Sequence, residues 1–189
     1  MRYIASKSEL DERFDLLDGL VDTAVSPSRR AISRSFTSFL FASFDSVHSR
    51  RFFASLVNFC GAVRDETFFM LVSDPDPIFY FKSLGQYNAL ACSRSDSTED
   101  YLRLLNSAPP LGNLADSMME SSDRFCFLSP GANWLIISDR DADVTIFCFR
   151  DAALLSEFRT HYDGTFYQDD SGREEFRIES PDELPIPRF

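Results

Sequence analysis

Between residues 124 and 158 the chain reads RFCFLSPGANWLIISDRDADVTIFCFRDAALLSEF, and two of its runs are apolar at odd and even positions alike. In one, Trp134, Ile136 and Ser138 alternate with Leu135 and Ile137; in the other, Val144, Ile146 and Cys148 alternate with Thr145, Phe147 and Phe149. Side chains of a strand point to opposite faces in turn. Strands apolar on both faces belong in the middle of a sheet that is covered on each side, here by helices. The alternation at 125–128 adds a third strand, joined to the second by Ser129-Pro130-Gly131-Ala132-Asn133, a turn by composition. Asp139-Arg140-Asp141-Ala142-Asp143 is too polar to bury and fits a hairpin connection. Asp151 is placed to cap a helix carrying Ala152, Leu154, Leu155 and Phe158. Trp134, the single tryptophan, reads as core.

The rest of the chain supplies the covering layers. Residues 1–6 suit a short strand or an arm. Leu10, Phe14, Leu17 and Val21 recur at helical spacing, with Asp11 and Glu12 in the first turn. Ile32, Phe36, Phe39, Leu40 and Val47 predict a second helix, and Phe52, Leu56, Phe59, Cys60 and Val63 a third, with Ser46 or Ser49 as its N-cap. Residues 67–72 read as a strand. Asp74-Pro75-Asp76-Pro77 is a rigid turn that no helix crosses, after which 78–81 and 87–92 read as strands. A short helix opens at Ser97 and stops at Pro109-Pro110, and a helical turn is expected around Met118 and Met119. A terminal hairpin is expected over 166–178. These elements make one α+β domain over 1–189, with a helical N-terminal third (about 8–64) packed on a mostly antiparallel sheet of about five strands (about 66–180) and an extended tail at 181–189.

Charge narrows the partners. The net charge is −11, and an acidic surface repels both a phosphate backbone and an anionic membrane, so neither nucleic acid nor membrane is expected as a partner. Such a surface is compatible with a basic protein, whose association opposite charge would steer, although solubility alone accounts for most acidic surfaces. The 20 phenylalanines read as an aromatic core. Four cysteines at 60, 92, 126 and 148 include no Cys-x-x-Cys pair, and His48 and His161 are the two imidazoles, so a zinc site lacks support. The N-terminal MRYIASKSELDERFD has no apolar signal region, and no run approaches a membrane span. The expectation is a cytoplasmic protein.

Chemistry-bearing motifs are few. There is neither GxGxxG nor GxxxxGK[ST], so a phosphate cradle is rejected. Asp139, Asp141 and Asp143 imitate the start of a calcium loop, yet the sixth position is Val144 and the twelfth Arg150, where glycine and glutamate are needed. Asp74/Asp76 and Asp139/Asp141 remain as Asp-x-Asp pairs able to hold magnesium beside a diphosphate, but such a tripeptide arises by chance in acidic chains and hairpin solvation is the better account of both. No GxSxG elbow accompanies either histidine. No catalytic residue, metal site or cofactor is assigned. What survives is binding: Asp139, Asp141 and Asp143 on a hairpin tip, Asp74 and Asp76 on a rigid turn, and the aromatic residues Tyr162 and Tyr167 as contacts for a basic protein.

The segment PGANWLIISDRDADVTIFCF, a turn followed by an apolar strand ending in Asp-Arg-Asp and a second apolar strand, resembles hairpins in small acidic α+β immunity proteins of bacterial toxin systems. The resemblance covers about 20 residues and implies a cytoplasmic, noncatalytic protein that protects its producer by occluding a toxin. It assigns no site residue. The expected function is therefore an immunity or antitoxin-like inhibitor. The alternatives are a small metal-dependent enzyme using an Asp-x-Asp pair and a regulatory adaptor.

Overall fold

The structure, a computed structural model, describes residues 1–21, 32–33 and 35–166. Among them, seven strands form one sheet: β1 Arg2–Tyr3, β2 Ser38–Ala42, β3 Thr67–Asp74, β4 Ala89–Ser93, β5 Arg124–Leu128, β6 Trp134–Asp139 and β7 Val144–Phe149. Their order is β1-β4-β3-β5-β6-β7-β2, and every neighbouring pair is antiparallel. The helices are α1 Lys7–Asp18, α2 Arg50–Ala62, α3 Pro77–Leu84, α4 Thr98–Leu105, α5 Met118–Ser121 and α6 Ala152–His161. The fold class is α+β, and no helix of the described residues is long and apolar enough to cross a membrane.

Both faces of the central strands are buried, as the doubly apolar runs require. On one face Phe127, Trp134, Phe147 and Phe149 meet Phe52 and Phe59 of α2, Tyr101 of α4 and Phe158 of α6. These rings meet edge-on or tilted, as Phe59 does with Trp134 at 6.0 Å between centroids, while Phe53 and Tyr101 stack at 4.2 Å. Each fully buried ring contributes roughly 1.5–3 kcal/mol. On the opposite face Leu71, Cys126, Leu135, Ile146 and Cys148 meet Leu10 and Leu17 of α1. The four cysteines are buried thiols, and burial pushes the Cys60, Cys92 and Cys148 thiols up, away from thiolate chemistry.

Helix starts follow the side-chain oxygens. Ser49 accepts the Phe52 amide at 3.0 Å to open α2, Asp151 accepts that of Leu154 at 2.9 Å to open α6, and Ser97 accepts that of Asp100 at 3.1 Å to open α4.

Three expectations are corrected. The N-terminal third is not purely helical: the apolar residues around Phe39 belong to β2 and to a 3₁₀ turn, Phe44–Val47. Leu40 and Ala42 face one core while Phe39 and Phe41 pack against the other, a period of two that registers β2 against β7. Residues 78–81 are not a strand but part of α3, which Asp76 caps and Pro77 begins. The sheet has seven strands rather than about five, because β1 and β2 flank it. The hairpin expected over 166–178 and the extended tail lie outside the described residues, Phe166 excepted.

Candidate functional site

One end of the sheet collects most of the residues that the sequence singles out. At this end β3 finishes at Asp74, β5 begins at Arg124, β6 finishes at Asp139, and the hairpin to β7 turns. The connections here are tied through the backbone: the Asp123 amide donates to the Asp74 carbonyl at 2.9 Å, and the Arg140 amide to the Asp123 carbonyl at 2.8 Å. Register explains the gathering. Arg124 sits opposite Asp74 on one side and opposite Asp139 on the other.

Arg124 organises the site. Its Nε donates to Asp139 Oδ2 at 2.8 Å, one terminal nitrogen to Asp74 Oδ2 at 2.8 Å, and the other to Asp141 Oδ2 at 2.9 Å. The fork-shaped guanidinium presents donors in several directions at once, which an ammonium does not. Burial opposes the Arg124 charge, but the carboxylates of Asp139, Asp74 and Asp141 outweigh it and raise its pKa. Arg124 also borders a small, mostly apolar cavity of about 20 Å³ that Leu17, Val21, Ser73 and Ile137 help to line.

Asp139 is the correction within the hairpin. The stretch 139–143 is polar, yet the Asp139 side chain is only 1% exposed. Its second oxygen accepts the Ala142 amide at 3.1 Å, so this carboxylate both neutralises Arg124 and shapes the turn. Asp141 is 74% exposed and Asp74 44%. Asp143 is exposed, has a left-handed backbone (φ 46°) and accepts the Phe44 amide at 3.2 Å. Asp76 is exposed and accepts the Phe79 amide at 2.7 Å as the cap of α3.

Of the two aromatic contacts expected, the described one, Tyr162, does not fall at the surface. Tyr162 is 4% exposed, packed among Phe52, Phe147 and Phe158, with its hydroxyl donating to the Ser46 carbonyl at 3.3 Å. As a buried ring it belongs to the core. Trp134 is fully buried, its Nε1 donating to Asp65 Oδ2 at 2.7 Å. Tyr167 lies outside the described residues.

Two neighbours escape a reading by sequence. Arg140 donates to the carbonyls of Glu120 and Met119 at 2.8 and 3.1 Å, pairs with Asp123 at 3.3 Å, and lies over the Phe44 ring. His48 packs between Phe44 and Phe125, and burial lowers its pKa to about 4, opposed in smaller measure by Asp45 and aided least by the Arg140 charge. Among the described residues no three His, Cys, Asp or Glu side chains converge as metal ligands. The Asp-x-Asp pairs are divided: Asp74 turns to Arg124 while Asp76 caps a helix, and Asp139 and Asp141 grip Arg124 from different sides. No protein-family model, curated protein or solved structure matches this chain.

Proposed function

We propose that this chain is a noncatalytic, cytoplasmic inhibitor of the immunity or antitoxin kind, which neutralises a basic toxin by binding it tightly through the hairpin end of the sheet. The observation that carries the reading is the gathering of Asp74, Asp76, Asp141 and Asp143 at one end of a sheet buried on both faces. Arg124 ties the Asp74 and Asp141 carboxylates together, Arg140 ties the hairpin to the Met119 and Glu120 carbonyls, and Asp141 keeps most of its surface in water while bonded to Arg124. The net charge of −11 adds a long-range field of the same sign. Asp139 serves this surface from beneath, as the support of the turn.

The test begins with capture of the partner from the native host on the immobilised chain and its identification by mass spectrometry. Expression of that partner alone is expected to arrest growth, and co-expression of the chain to relieve the arrest. The Asp76→Asn/Asp141→Asn/Asp143→Asn variant is expected to associate roughly tenfold more slowly at low salt. An unchanged association rate removes this end of the sheet from the interface.

A further inference from the structure

The large apolar side chains that the described residues leave exposed are Phe79, Phe81, Leu111 and Leu114, at 65%, 41%, 71% and 68%. All four belong to two adjoining segments, α3 and the stretch 109–116. Three contacts seat these segments side by side. The Leu111 amide donates to the Leu84 carbonyl at 3.0 Å, and the Tyr80 hydroxyl donates to the Asp116 carbonyl at 2.5 Å. Gly85, with φ at +80°, leaves room for Leu111: a Cβ there would lie 3.3 Å from Leu111 Cγ. Their concentration on two segments that touch each other, with Phe79 and Phe81 on the two flanks of α3, is what marks a site, since isolated exposed apolar residues are ordinary.

This apolar surface adjoins the acidic one. Asp74 ends β3, Asp76 caps α3, and Phe79 follows within the first helical turn. On the other side Leu114 borders an open groove of about 430 Å³ shared with Asn106 and Glu120. We infer that α3 and the stretch 109–116 form the apolar anchor of the same interface, and that they take a protein surface on which apolar side chains are flanked by lysine or arginine. The acidic rim selects the charge of the occupant, and the net charge of −11 sets a second copy of this chain against itself. Interfaces concentrate affinity in a few desolvated apolar anchors and leave orientation and approach to the charged rim.

The inference rests on reading this end of the sheet as an interface, so its test separates anchor from rim. Two synthetic helical peptides of equal charge serve as probes, one with lysine on one face and leucine on the other, the second with serine in place of leucine. Fluorescence anisotropy is expected to show the leucine peptide binding at least tenfold more tightly than the serine peptide. Phe79→Gln/Leu111→Gln is expected to abolish that preference, with unchanged circular dichroism because both residues are exposed. Equal binding of the two peptides, weakened by Asp76→Asn/Asp141→Asn, overturns the anchor and leaves the acidic rim standing. A preference that survives Phe79→Gln/Leu111→Gln, or no binding of either peptide, also overturns it. So does concentration-dependent dimerisation in sedimentation velocity that Phe79→Gln removes, since the surface then belongs to a second copy.

Discussion

At the scale of single residues, the hairpin end depends on Arg124. Removing it leaves Asp139 as a buried carboxylate with no compensating charge, one of the costliest changes a protein interior meets. Arg124→Leu is expected to lower stability in urea by about 3 kcal/mol. The Arg124→Leu/Asp139→Leu double variant is expected to lose less than the single one, because the stranded charge has gone too. A single variant within about 0.5 kcal/mol of the parent contradicts this role. His48 gives a second test. Its folded pKa of about 4 lies below the ordinary histidine value, so the unfolded chain binds the proton more readily. Stability attached to His48 is therefore complete above about pH 6.5 and declines as the pH falls toward 4. Relative to His48→Phe, the parent is expected to lose on the order of 2 kcal/mol across that window. Parallel stability curves for the two contradict the buried, neutral imidazole. Burial raises the Asp65 carboxyl, which acts in the opposite direction, and the comparison with His48→Phe cancels it because both proteins carry it. Part of this residue-level detail is legible in the sequence. Closing a hairpin around Ser129-Pro130-Gly131-Ala132-Asn133 sets Arg124 across from Asp139. The third partner, Asp74, comes from 50 residues away, and local pattern carries no information about the pairing of β3 with β5.

At the scale of elements, the sequence is clearest where caps and periodicity agree. The β5–β6–β7 run and the helix after Asp151 stand where alternation and capping put them, and so do α1, α2 and α4. Ser49 illustrates the local support: Ser49→Ala is expected to cost about 1 kcal/mol by loss of the bond to the Phe52 amide, measured by chemical denaturation. No change in midpoint would mean that the cap adds nothing beyond the packing of α2. The two misread elements fail for different reasons. In β2, aromatic residues fit helical and strand spacing together, and pairing with the distant β7 decides between them. In α3, the pair Asp76-Pro77 is a legible start signal, a cap followed by proline in the first turn, but a turn reading conceals it. That misreading also hides the apolar surface, because Phe79 and Phe81 count as sheet interior when placed on a strand.

At the scale of the whole molecule, the sheet acts as a plate packed on both faces, and its hairpin end brings together acidic groups from distant parts of the chain. Charge and composition are compatible with a basic protein partner, and they do not say where one would dock. Burial of Asp139 and Tyr162 shortens the set of expected contact residues; exposure of Asp76, Asp141 and Asp143 keeps the surface acidic. Hydrogen–deuterium exchange of the chain, alone and with the partner captured from its host, tests the central claim most directly. New protection is expected at residues 76–82, 111–116 and 140–143 together, with little change in α2 and α6. Protection confined to α2 and α6, or none at the hairpin end, would contradict the account.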